Sequence, residues 1–324
     1  MKLFVTFTVL LELVGAVEAF RWTLHKSCYE KTEYKDAILT GMETAKSRSA
    51  FAASRIDSFL HPNFKKLGQI LIGKDDFTNR AKTLKTRFEN FKNLNGPIGK
   101  DSNFADSAEW TGRENPTNAD FVIYCAPDVG EIGDLNPIPI DNARQYILGA
   151  ENPLILINKD IAAKGWHDEN KKVGAVTNNA KPNVPTSEDE IKKIPDTITL
   201  NPIWLDYKIA NGGLLFNPEL LTDLKKEGAL DVMKETWEDN KRATPVDTPM
   251  GDLASTLHHE IFHLSAFGSH KDLPSDEPER AYNWMNNVER KLIDNPELMA
   301  FLGLIFELRE KHKATVTEAG DFEK

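Results

Sequence analysis

The chain has 324 residues, enough for one large domain or two small ones with a sizeable core. Its 40 lysines and arginines stand against 50 aspartates and glutamates, a net charge of -10. That balance, with no basic run carrying interleaved aromatics, argues against a nucleic-acid ligand, because neutralising phosphates takes clustered cations.

At the N-terminus, Met1 and Lys2 precede an apolar run over residues 3–16, and Val17-Glu18-Ala19 fits the small-x-small pattern of a secretory cleavage site. Residues 1–19 are therefore expected to be a signal peptide, cleaved before Phe20, and the protein to be secreted and extracellular. The run is shorter than the roughly 20 residues that span a bilayer, so no membrane association is expected. Cys28 and Cys125 are the only cysteines. In an oxidising compartment a pair so far apart in sequence most simply forms one disulfide, the alternative being two unrelated buried thiols.

Residues 27–93 read as helical. Ile38, Met42 and Ala45, with Ala37 alongside, recur at helical spacing, and Ala52, Ile56, Phe59 and Leu60 resume the phase past a polar interruption at Ser49. Phe77, Ala81, Leu84, Phe88 and Phe91 repeat the pattern in a later helix, which Asn95-Gly96-Pro97 closes. Strand character follows at residues 121–125, 154–157 and 197–200, short runs rich in β-formers. Residues 168–195, between the last two, are polar and read as a surface insertion. Helical spacing returns from Met250, where Leu253, Leu257, Ile261 and Leu264 make one apolar face. A helix from residue 296 to about 311, apolar nearly all round, is expected in the core. Residues 20–312 thus read as a single domain, followed by a flexible tail over 313–324.

The chemistry concentrates on the helix after Met250. His259 and His263 are four residues apart and so lie on one face, where both imidazoles can point at one metal ion. Glu260, one position along, is poorly placed to ligate but well placed to reach a metal-bound water. Zinc lowers the pKa of such a water toward 7, and a neighbouring carboxylate can take its proton during attack on a carbonyl. His258 points about 100° away around the helix and reads as a structural or surface histidine. A third ligand must lie downstream. The positions three and six residues after His263 are Ala266 and Ser269, so the Gly-x-x-His continuation of a metzincin is missing. His270 and the acidic residues Asp272, Asp276, Glu277 and Glu279 are the nearby candidates.

This combination resembles the secreted fungal deuterolysin-like metalloendopeptidases, the aspzincins, and their peptidyl-Lys metalloendopeptidase relatives. That family pairs His-Glu-x-x-His with a downstream Asp-x-x-Tyr-Gly, whose aspartate is the third zinc ligand and whose tyrosine assists the transition state. Glu279-Arg280-Ala281-Tyr282-Asn283 lines up with the second motif, with Glu279 in place of the aspartate and Asn283 in place of the glycine. The resemblance implies zinc held by His259, His263 and Glu279, with Asp276, His270 or Asp272 as alternatives for the third position. Glu260 would be the general base and Tyr282 an oxyanion or substrate donor. It also implies an α+β zincin-like fold: a helical N-terminal part, a small sheet, the motif helix and C-terminal helices. The expected function is a secreted zinc metalloendopeptidase acting as a monomer on polypeptide substrates. The alternative is a non-catalytic secreted binding protein on the same scaffold.

Overall fold

A computed structural model describes residues 20–58, 60–97, 120–125, 174–178, 196–238 and 241–323. The expected signal peptide and the expected strand over 154–157 lie outside these residues. Four helices open the chain: α1 (Lys26–Tyr29), α2 (Thr32–Arg55), α3 (Pro62–Ile72) and α4 (Phe77–Lys92). The apolar stripe read along α2 is its buried face, with Ile38, Met42, Ala45 and Ala52 all inaccessible. Leu60 departs from that stripe. It is 86% exposed, because the helix ends before it and the phase no longer applies.

The sheet is small and mixed. Strands β1 (Trp22–Leu24), β2 (Phe121–Tyr124), β3 (Ala175–Asn178) and β4 (Asp196–Leu200) lie in the order β1-β2-β4-β3. β1, β2 and β4 run parallel, and β3 pairs antiparallel with β4, Thr177 opposite Ile198. Strands β2 and β4 are buried throughout, matching their unbroken runs of β-formers. The expectation for residues 168–195 needs correction at its described part, residues 174–178. There Ala175-Val176-Thr177-Asn178, with only Val176 and Thr177 β-formers, joins the sheet as an outer strand. A Cys28–Cys125 disulfide ties α1 to the residue after β2, so the pairing read from the sequence is present.

Four short helices follow: α5 (Pro202–Ala210), α6 (Leu220–Leu224), α7 (Ala229–Lys234) and α8 (Asp247–Met250). The core is then completed by α9 (Leu253–His263), α10 (Trp284–Arg290) and α11 (Pro296–His312). Helix α2 packs against α4, α9 and α11, and α9 lies between α11 and strand β3. Leu253, Leu257, Ile261 and Leu264 are all inaccessible, as their spacing predicts. Residues 313–323 are not a loose tail. Ala314, Val316 and Phe322 are buried, and the Trp284 indole donates to the Glu318 carbonyl at 3.0 Å. The described residues make a mixed α+β fold of eleven α-helices and one four-stranded sheet. No described helix is long and apolar enough to cross a membrane.

Candidate metal centre

Helix α9 starts where Asp252 accepts a hydrogen bond from the Ser255 amide at 2.7 Å, satisfying one of the donors a helix N-terminus leaves open. It stops at Leu264, whose backbone is extended. A short turn over Ser265–Phe267 then reaches Gly268, at φ 111°, a conformation that glycine adopts at little cost. The chain folds back on the helix end: the His270 amide donates to the Phe262 carbonyl at 3.1 Å and the Ser269 amide to Leu264 at 3.0 Å. This reversal delivers Asp272 to the face that carries His259 and His263. Ser265 anchors the corner to the sheet through its amide, which donates to Asp196 Oδ2 at 2.6 Å.

The two imidazoles meet with Nε2 atoms 3.0 Å apart. Asp272 Oδ1 lies 3.4 Å from His259 Nε2 and 3.7 Å from His263 Nε2. A tetrahedral zinc with bonds of 2.0–2.2 Å has ligand–ligand edges of about 3.3 to 3.6 Å, so the two edges to Asp272 are close to that length and the histidine pair would open by a few tenths of an ångström. Asp272 Oδ1 is also buried with no hydrogen-bond partner among the described residues. A buried carboxylate oxygen without a donor is expensive unless a cation completes it. His259, His263 and Asp272 therefore form a group able to hold a metal ion.

Each ligand is oriented by a further contact. His259 Nδ1 faces Glu297 Oε2 at 2.9 Å, and His263 Nδ1 donates to the His270 carbonyl at 2.7 Å. Both contacts put the Nδ1 proton outward and leave Nε2 to face the shared point. Burial works against a charged His259, but Asp272 and Glu297 outweigh it and hold its pKa well above the usual imidazole value. Burial likewise opposes the Asp272 charge, yet His259, His263 and Tyr282 keep its carboxyl below the ordinary carboxylate range. The Tyr282 hydroxyl donates to Asp272 Oδ2 at 2.9 Å, and its ring lies 5.7 Å from the His259 ring in a stacked arrangement. Desolvation of the hydroxyl, then the neighbouring Asp272, raises the Tyr282 pKa above that of a free phenol, although the residue as a whole is 40% exposed.

The group opens into a cavity of about 420 Å³. Glu260 lines it with His259, His263, Asp272 and Tyr282, opposite Ala175, Val176 and Thr177 of β3. Glu260 is 8% exposed, and its Oε2 accepts from the Thr177 hydroxyl at 2.6 Å. His258 is buried on the other side of the helix, 2.8 Å from Ser49 Oγ through its Nε2. Burial and then Arg48 push its pKa well below the ordinary value, keeping it neutral.

The expected third ligand requires a correction. Glu279 sits exposed on the turn Pro278–Arg280 and takes no part in the cavity, and Asp276 is exposed as well. The chain reaches the histidines nine residues after His263, at Asp272, and by Pro278 it has turned outward. His270 lines the cavity but contributes its carbonyl, while its ring lies near Asp294; burial and Arg87 lower its pKa to about 4. Sequence reasoning missed two contributors. Thr177 was hidden in a polar stretch, its local signal no more than the β-branched pair Val176-Thr177. Glu297, after Pro296, looks like an ordinary first-turn helix charge, and nothing local ties it to His259. Compared with protein-family models, curated proteins and solved structures, the chain finds no match.

Proposed function

We propose that this protein is a secreted zinc endopeptidase of the deuterolysin-like class, built on a zincin-like fold. One observation supports the reading above the others: two histidines a helical turn apart converge with Asp272, and the intervening Glu260 opens into the same cavity. His259, His263 and Asp272 would hold the zinc. Zinc bound there would supply a Lewis acid for a peptide carbonyl and lower the pKa of a water toward 7. Glu260 takes the proton of the attacking water and returns it to the departing amine. Tyr282, held protonated, has a proton to donate. It steadies Asp272 and, by rotating toward the cavity, can offer the same proton to the developing oxyanion. An extended polypeptide fits alongside β3, whose residues Ala175, Val176 and Thr177 form the facing wall.

The test uses purified protein loaded with zinc and an unfolded protein as substrate. The wild type is expected to cleave it, and a strong zinc chelator to abolish cleavage. Glu260→Gln should keep the zinc and lose about 10²-fold or more in rate. Asp272→Ala should lose the zinc, and Glu279→Gln should change neither property. Undiminished cleavage by Glu260→Gln would sink the endopeptidase reading, and full zinc retention by Asp272→Ala would sink the ligand set.

A further inference from the structure

We infer that Thr177 is a positioning residue for the general base, so that the outer strand of the sheet sets the aim of Glu260. The inference rests on the assignment of Glu260 as base. Its own basis is geometric. The Thr177 hydroxyl lies 2.6 Å from Glu260 Oε2 and 3.1 Å from the Glu260 carbonyl oxygen. A hydroxyl has one proton to give, and the shorter contact, to a charged acceptor, takes it. Oε2 is thereby tethered to the strand, which fixes the plane of the carboxylate facing the cavity.

The arrangement matters because a glutamate has three side-chain torsions and gains little from helix α9 to fix them. The carboxylate reaches away from its own helix, and its hydrogen-bond partner comes from a different element. Strand β3 is itself held in register by β4, with Thr177 opposite Ile198. Ala175 and Val176, which precede Thr177 on the strand, line the same cavity. A polypeptide settling against β3 therefore touches the strand that carries the base's hydrogen-bond donor. Substrate seating and base alignment become one event, which is the type of preorganisation that a loose carboxylate would forfeit.

Thr177→Val keeps the β-branched shape and removes the donor, whereas Thr177→Ser keeps the donor and loses the methyl. With zinc loaded, Thr177→Val is expected to lower kcat by about 10- to 100-fold with KM changed less than about threefold. Thr177→Ser should recover most of that loss. A cobalt-substituted sample should give the same absorption spectrum as the wild type, since no metal ligand is touched. A peptide hydroxamate, which hands its proton to the same carboxylate, should bind more weakly to Thr177→Val by a similar factor. The inference is overturned if Thr177→Val keeps kcat within about twofold, or if KM rises and Thr177→Ser does not rescue. A zinc-loaded wild type that cleaves nothing overturns both this inference and the function it rests on. An active wild type with an unaffected Thr177→Val overturns this inference alone.

Discussion

His259 and His263 carry the same imidazole, yet their outer nitrogens meet different acceptors. His263 gives its Nδ1 proton to a neutral peptide carbonyl, and His259 faces the carboxylate of Glu297. A carboxylate both fixes the tautomer and enriches the ring, making His259 the more basic ligand. Glu297→Ala should therefore weaken metal binding by about 10- to 100-fold. Glu297→Gln, whose amide oxygen still accepts the Nδ1 proton, should lose less. Competition against a chromophoric chelator measures both, with no need for a substrate; an unchanged affinity in Glu297→Ala would show that Glu297 only fills space. The histidines and Glu260 were legible from their spacing because a helix converts a four-residue interval into a shared face. Asp272 was legible only as one alternative among several for the third position. Its approach depends on the turn at Gly268 and on the amides of Ser269 and His270, so no interval in the sequence singles it out. Alignment on Tyr282 pointed to Glu279, although Tyr282 bonds Asp272 across ten residues rather than a neighbour at three.

Between elements, the placement of α9 depends on a buried charge cluster. Arg48 of α2 is 1% exposed. Its Nη2 and Nη1 donate to the two oxygens of Asp252 at 2.7 and 3.1 Å, its Nη1 also to Ser255 Oγ at 2.8 Å, and its Nε to Glu307 Oε2 at 2.6 Å. Asp252 caps α9 and Glu307 lies on α11, so one guanidinium joins three helices. Burial opposes its charge, but the two carboxylates more than compensate and raise its pKa above the already high arginine value. Beside it, the polar break at Ser49 meets the buried His258, and Gly303 of α11 provides the space, since a Cβ there would overlap the His258 ring. The apolar faces of these helices could be read from period alone. The pairing of Ser49 with His258, two residues that each looked anomalous on its own helix, could not, because it is a relation across about two hundred residues. Arg48→Met should destabilise the fold by about 3 to 5 kcal/mol, since it removes the counter-charge of buried Asp252, left with backbone amides only, and leaves Glu307 with Lys311 alone. Adding Glu307→Gln to that variant should recover part of the loss. Urea unfolding measures both, and a loss under about 1 kcal/mol would mean that the cluster contributes little.

Across the whole molecule, the metal group draws on parts of the chain that meet only after folding: α9, the returning loop to Asp272, the first turn of α11 and strand β3. The helical half and the sheet are joined near β2 by Cys28–Cys125, which encloses a separation of 97 residues. That pairing was legible because a chain with two cysteines has one way to pair within itself. The outer strand was not legible, because β3 gains its stability from β4 and α9 rather than from its own composition. Both cysteines are buried, at 0% and 1% exposure, so serine at these sites removes the cross-link while adding two small buried hydroxyls. Closing a loop of this length removes much of the freedom of the unfolded chain and should stabilise by about 3 to 5 kcal/mol. The Cys28→Ser, Cys125→Ser variant, with metal removed so that binding does not contribute, should unfold at lower urea by that amount. The slope of its transition should rise as well, because an unlinked chain exposes more surface on unfolding. Reduced wild type should behave like the double variant if loop closure is the cause. If the reduced wild type instead kept the stability of the oxidised protein, the loss in the variant would come from the buried hydroxyls, and the link between helices and sheet would rest on packing alone.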